Sequence, residues 1–237
     1  MEARAAGGAA AWRDGAKAAW PICVGYVPIG LAFGVLAEKA GLGLGQVALM
    51  SVLVFAGSAQ FIAVGMLQAG AAGVPIVLTT FMVNLRHLLM SSALAPRLRG
   101  AGRGFLSLFA YGVTDESFAV NAARFRTGGW DRVRALAVNQ WANLCWVLST
   151  VAGARLGRLI PAGAFGVDYA LPGMFLCLLT FQLHSRLHIA VAALSGALAL
   201  GLYLAVPGNA YVVGASVAAA TAGLLLSRRR HRGEARR

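Results

Sequence analysis

The sequence is poor in charge. Of 237 residues only 12% are charged and only 8 are Asp or Glu, while 59% are hydrophobic and the mean hydropathy is +0.70. A soluble domain carries about 25% charged residues, so an ordinary water-soluble enzyme is excluded as the starting point. Disorder is excluded as well, because disordered chains lack this much apolar surface. Cysteine is scarce: Cys23, Cys145 and Cys177 stand alone in apolar runs. Without a Cys pair or Cys/His ligand spacing, neither a disulfide framework nor a zinc site is indicated, and the three read as small hydrophobes. A Gly-x-x-x-x-Gly-Lys-Ser/Thr loop, a His-Glu-x-x-His and a Gly-x-Ser-x-Gly are all missing, which removes phosphate-loop ATP hydrolysis and two common hydrolase chemistries. The chain is expected to be a non-enzyme without metal or organic cofactor. The N-terminus shows no short apolar core followed by a cleavage site, so residues 18–37 read as a retained helix.

What is present is long apolar sequence. Residues 18–37, 40–85, 135–154, 169–185 and 187–227 contain no Asp, Glu, Lys or Arg. A membrane helix needs about 20 mostly apolar residues, and the two longest runs each hold two helices and a turn. Strands of a transmembrane barrel would alternate polar and apolar residues; these runs do not. The expected fold is therefore all-α and polytopic, with about six to eight membrane helices near 18–37, 46–68, 74–95, 104–121, 135–154, 169–185, 187–206 and 209–226. Gly41-Leu-Gly-Leu-Gly45, Gly70-Ala-Ala-Gly-Val-Pro75 and Pro207-Gly-Asn209 mark turns. Residues 1–17 form an N-terminal cytoplasmic segment, 18–226 one membrane domain and 227–237 a polybasic cytoplasmic tail that meets anionic lipid.

The net charge of +13 sits in loops and tails, which argues against nucleic acid as the partner. If all eight segments cross, the N-terminus, loop 122–134 and the tail share the basic side, so both termini are cytoplasmic by the positive-inside rule. If 18–37 and 104–121 instead dip in and return, Lys39 and loop 96–103 join that side and the asymmetry sharpens. Re-entrant backbone is tolerated only under protein or beside a water-filled cavity, so one or two broken or re-entrant segments stay open as an alternative. No convincing internal repeat is present.

Three clusters carry polar or helix-breaking residues at membrane depth. In Pro21-Ile-Cys-Val-Gly25-Tyr-Val-Pro28-Ile-Gly30 the prolines predict a break or kink near Gly25–Pro28. A break would free backbone groups to hold the carboxylate and ammonium of a zwitterion; a kink would hold no ligand. Ala56-Gly57-Ser58-Ala-Gln60-Phe61 brings polar groups to the bilayer centre, either for substrate or for close helix packing. Asn84-Leu-Arg86-His87 and Thr114-Asp115-Glu116 bring ionisable groups. A lone charge there costs at least ~2.5–3.5 kcal/mol, which pairing of Arg86 with Asp115 or Glu116 would offset; snorkelling of Arg86 and His87 to the nearby surface is the other reading. His87 titrates near neutrality and could relay protons. Asn139 and Asn143 read as helix-packing amides, His184 and His188 as interfacial histidines.

These motifs, with Gly25-Tyr-Val-Pro28-Ile-Gly-Leu-Ala-Phe-Gly34 and Gly112-Val-Thr-Asp115-Glu116-Ser-Phe-Ala119, occur in the order and spacing of the AzlC family, which the sequence resembles over roughly residues 15–225. The resemblance implies a plasma-membrane permease exporting valine, leucine, isoleucine or similar amino acids, partnered by a small AzlD-type membrane subunit and without an ATPase. Gly25, Pro28, Gly57, Ser58, Gln60 and Asn84 are the candidate substrate-binding positions. Arg86, His87, Asp115 and Glu116 are the candidates for proton coupling or an ion pair. A channel-like metabolite pore, an intramembrane enzyme and a non-catalytic subunit of a larger transport complex are the competing readings.

Overall fold

The computed structural model describes residues 2–159 and 186–205, together with isolated positions at 169, 173, 176, 179–180, 183, 215, 218–219 and 221–223. Among the described residues there is no strand. The helices are α1 (Glu2–Lys39), α2 (Leu44–Leu53), α3 (Gly57–Gln68), α4 (Gly73–Leu94), α5 (Arg103–Tyr111), α6 (Asp115–Thr127), α7 (Arg132–Gly157) and α8 (Arg186–Ala205), with a 3-10 turn at Ala95–Leu98. Apart from those isolated positions, the expected segments at 169–185 and 209–226 lie outside the described residues, as do Cys177, His184 and the polybasic tail.

The chain forms two compact units. One comprises residues 1–70 and 83–171, the other 71–82 and 172–237, and the single domain expected over 18–226 extends through both. In the second unit α8 is apolar beyond its first turn, which holds Arg186 and His188, and Gly223 lies so close to Val191 that an added Cβ would meet its Cγ2 at 3.0 Å. The first unit holds every candidate site residue.

The first unit is built on α1 and α7, which share the most extensive interface among the described helices. Its cause is a run of small residues on both helices. Gly30 and Gly34 on α1, Gly153 and Gly157 on α7, repeat at the four-residue spacing that brings backbones together in membrane helices. A Cβ on Gly153 would come within 2.8 Å of the Leu31 backbone, one on Gly34 within 2.8 Å of the Gly153 backbone, and one on Gly157 within 3.2 Å of Val35 Cα.

The first helix corrects an expectation. No break occurs near Gly25–Pro28: α1 is continuous, with Pro21 and Pro28 inside it. Each proline removes one helical donor and strains the preceding turn, yet α1 lies along α7 and that packing offsets the loss. At about 1.5 Å per residue its 38 residues reach roughly 57 Å, beyond the ~30 Å hydrocarbon core. Such a helix cannot return to the side from which it entered, so the re-entrant reading of 18–37 falls. The apolar stretches Gly8–Lys39 and Gly73–Leu98 are each long and apolar enough to cross a membrane.

The breaks lie elsewhere. The helix expected over 46–68 is two, α2 of 10 residues and α3 of 12, separated by an extended link in which Val54 has φ −120°, ψ 70° and Ala56 φ −151°, ψ 86°. The segment expected over 104–121 is also two, α5 of 9 residues and α6 of 13. Each piece is about 14–20 Å long, half a membrane or little more. Gly41 and Gly70, with φ of 88° and 74°, end the turns where α1 and α3 stop, a backbone conformation glycine adopts without steric cost.

Candidate functional site

The two interruptions meet. The α2–α3 link carries Phe55, whose ring lies 6.3 Å from Tyr26 on α1 and 6.4 Å from Tyr111 at the end of α5. Tyr111 Oη donates to the Val52 carbonyl near the end of α2 and accepts from Asn143 Nδ2 on α7 at 3.1 Å. Thus α7 amides and a tyrosine satisfy carbonyls that broken helices leave without partners. Asn139 Nδ2 donates to Phe109 O at 3.1 Å, and Asn139 Oδ1 accepts from Asn121 Nδ2 at 3.0 Å. Asn139 and Asn143 therefore act as packing amides, as their spacing suggests.

The break before α6 is closed by a reciprocal cap. Thr114 Oγ1 accepts from Ser117 N at 3.3 Å, and Ser117 Oγ accepts from Thr114 N at 2.9 Å. Asp115 and Glu116 occupy the first turn, where the helix dipole favours negative charge. Tyr26 Oη, fixed on α1, donates to Glu116 Oε2 at 2.7 Å and lies 2.9 Å from Thr114 Oγ1. A phenol has one proton, so the threonine hydroxyl donates to Tyr26 when Tyr26 donates to Glu116.

The break before α3 is held differently. Its N-cap is Ala56, and no side chain caps it. Instead Gln60, fully buried, spans α7 and α2: its Oε1 accepts from Trp146 Nε1 at 2.7 Å and its Nε2 donates to Ser51 Oγ at 3.2 Å. Thr150 Oγ1 donates to the same Ser51 at 2.8 Å. The Trp146 ring packs 5.3 Å from Tyr26 and 6.1 Å from Phe33. Gly57 meets the flat of this indole, where a Cβ would come within 3.0 Å of Cη2. The close approach expected at Gly57 is present, and both ends of the Gln60 amide hold partners within the protein.

From α4, Arg86 reaches across both interruptions. Its Nη1 lies 2.7 Å from Asp115 Oδ2, and its Nη2 donates to Ser58 Oγ. Pairing with Asp115 is one of the two arrangements foreseen. The side chains are 29% and 36% exposed, so the pair is only partly buried. Arg86 Nε and Asn84 Oδ1 are buried without a hydrogen-bond partner, and orphaned polar atoms of this kind are uncommon in native folds.

Of the other expected residues, Gly25 and Pro28 lie on the exposed side of α1, away from this network. His87 is half-buried and makes no hydrogen bond among the described residues. Tyr26, Tyr111, Thr114 as a cap, and Trp146 are not among the residues expected from the sequence. Tyr26 could have been found, since it lies inside the proline-flanked motif; Trp146 carries no local signal, because its partner Gln60 is 86 positions away. Cys23 and Cys145 are free and adjacent across α1 and α7, with Cys145 Sγ 3.4 Å from Cys23 O. Among the described residues no group of His, Cys, Asp or Glu could hold a metal ion.

Residues 21–160, which contain this entire network, match the family model described as AzlC protein. The chain belongs to the AzlC family. Among its AzlC-like relatives, the inner membrane protein YgaZ of Escherichia coli (strain K12) is 31% identical over 81% of this chain and 82% of its own length. An uncharacterized membrane protein of Archaeoglobus fulgidus is 32% identical over 92% of this chain and 94% of that one. The branched-chain amino acid transport protein AzlC of Bacillus subtilis (strain 168) is 27% identical over 88% and 82%. No solved structure matches the chain.

Proposed function

We propose that this AzlC-family chain is a multi-pass plasma-membrane secondary transporter, not an enzyme, that exports branched-chain and similar small apolar amino acids, is coupled to protons and works with a small AzlD-type membrane subunit. The Bacillus relative, a branched-chain amino acid transport protein, supports the substrate class. The observation that carries the reading is the meeting of two interrupted helices beside Arg86–Asp115 and Tyr26–Glu116. Discontinuous membrane helices present backbone ends to substrate at the middle of many transporters.

In this reading the uncapped start of α3, at Gly57 and Ser58, faces the substrate carboxylate together with the Arg86 guanidinium, whose Nε has no partner. Asn84 Oδ1 is the available acceptor for the ammonium group. Trp146, Gln60, Ser51 and Thr150 hold the link and do not bind. Proton exchange falls to Glu116: when it is ionised Tyr26 donates to it, and when it is protonated the hydrogen bonds through Tyr26 and Thr114 can reverse direction. His87 is the second candidate for that exchange.

The test is efflux of preloaded radiolabelled valine from vesicles, with and without the coexpressed partner, under an imposed pH gradient. We expect saturable efflux that the gradient accelerates, and a Glu116→Gln variant that keeps valine exchange but loses the acceleration. Efflux no faster than from vesicles lacking the protein would sink the proposal, and non-saturable flux would favour a pore.

A further inference from the structure

A second polar site lies apart from the interrupted helices, at the end of the first unit where α1, α6 and α7 come together. A cavity of about 340 Å³ is lined by Asp14, Lys17, Arg124, Gly128, Gly129, Trp130 and Arg134. Clefts that hold small ligands run from roughly 300 to 1,000 Å³.

The charges facing it are not equivalent. Arg134 is already committed, with its Nε 3.0 Å from Asp14 Oδ2 and its Nη1 on Asp131. One guanidinium cannot offset two carboxylates, but only Asp14 of the two lines the cavity, so the lining sets Lys17, Arg124 and Arg134 against a single carboxylate. Lys17 and Arg124 remain: neither makes an ion pair among the described residues, and Arg124 is held in place by stacking, its Cζ 5.4 Å from the centre of the Trp130 ring. Trp130 is itself fixed through Nε1, which donates to Asn121 Oδ1 at 3.1 Å. The wall between is the Gly128–Gly129 link, with φ of 82° and 69°, a conformation without side chains that leaves the backbone open to a ligand. Two uncompensated cations beside bare backbone fit one tetrahedral anion. Trp20, 68% exposed, lies three residues beyond Lys17 on α1, and Trp12 is also exposed. Tryptophan collects at the headgroup level of a bilayer.

We propose that this cavity binds the phosphate of an anionic phospholipid, with Lys17 and Arg124 as its cationic ligands and Arg134 as the group that keeps Asp14 from repelling it. Basic pockets between membrane helices are the usual seats for such headgroups. The site is independent of the substrate pathway proposed above.

The test is the melting temperature of the full chain in vesicles of equal parts phosphatidylglycerol and phosphatidylcholine against phosphatidylcholine alone. A ligand that binds only the folded state raises it, and a rise of several degrees is expected. Lys17→Gln/Arg124→Gln should lose most of that rise, while Arg97→Gln/Arg99→Gln, which removes the same charge elsewhere, should keep it. Lys17→Arg/Arg124→Lys should keep it as well. Equal losses in the two glutamine pairs would show diffuse attraction and overturn the site. An equal rise from glycerol phosphate in phosphatidylcholine vesicles would overturn the lipid as the source of the anion. If the double variant does not fold, Lys17→Gln alone carries the same comparison, since Lys17 is exposed and bonded to nothing among the described residues.

Discussion

Arg86 holds two helix starts at once, Ser58 on α3 and Asp115 on α6. Removing one partner of a charge pair leaves the other uncompensated, a larger loss than deleting both. Because this pair is partly open, Arg86→Gln or Asp115→Asn should each cost about 1–2 kcal/mol of stability and the double variant less than their sum, as read from thermal unfolding in detergent. Trp146→Phe strands the buried Gln60 Oε1 and should cost about 1–3 kcal/mol, with Gln60→Leu/Trp146→Phe recovering part of it. The arginine's partner was legible from the sequence, since a charge at membrane depth needs one and only Asp115 and Glu116 offered it. The Trp146–Gln60–Ser51–Thr150 network was not legible, because its members carry no charge to demand an explanation and become neighbours only through the packing of α1 on α7.

Among the elements, helices α4, α7 and α8 lie within a few residues of where hydropathy places them, because long apolar runs bounded by glycine or charge leave little choice. The broken segments were misjudged in an instructive way. Proline predicted a break in α1, yet two prolines are absorbed there by packing along α7. The real break at 54–56 contains no proline; its signal is Gly57 and two polar residues, which suits close packing equally well. The paired Gly-x-x-x-Gly motifs at Gly30–Gly34 and Gly153–Gly157 were visible but unread. Gly34→Leu or Gly153→Leu drives side-chain atoms into opposing backbone, where no rotamer gives relief, and should cost ~3 kcal/mol or more. Loss of folded monomer in detergent chromatography would register it, while Gly25→Ala, on open surface, should behave as the parent.

For the whole molecule, the continuity of α1 bears on a question of sidedness that charge counting left open. An unbroken α1 that crosses the bilayer would place residue 39 on the face opposite the N-terminus, even though one cation there works against the positive-inside tendency. With both native cysteines of the first unit and Cys177 replaced by Ala, Lys39→Cys should react with an impermeant maleimide added outside intact cells, and a cysteine at position 9 should not. Labelling of position 39 only after permeabilisation would contradict it.

The glycine seam also assigns the moving parts. Two helices whose main chains touch at Gly34, Gly153 and Gly157 have no slack to slide or roll, so α1 and α7 act as a fixed keel. The half-length pieces α2, α3, α5 and α6 join that keel through side-chain contacts, among them Gln60, Tyr26 and Tyr111. Any rearrangement that admits and releases cargo should therefore leave the spacing of spin labels across α1 and α7 constant while labels on α3 and α6 change theirs.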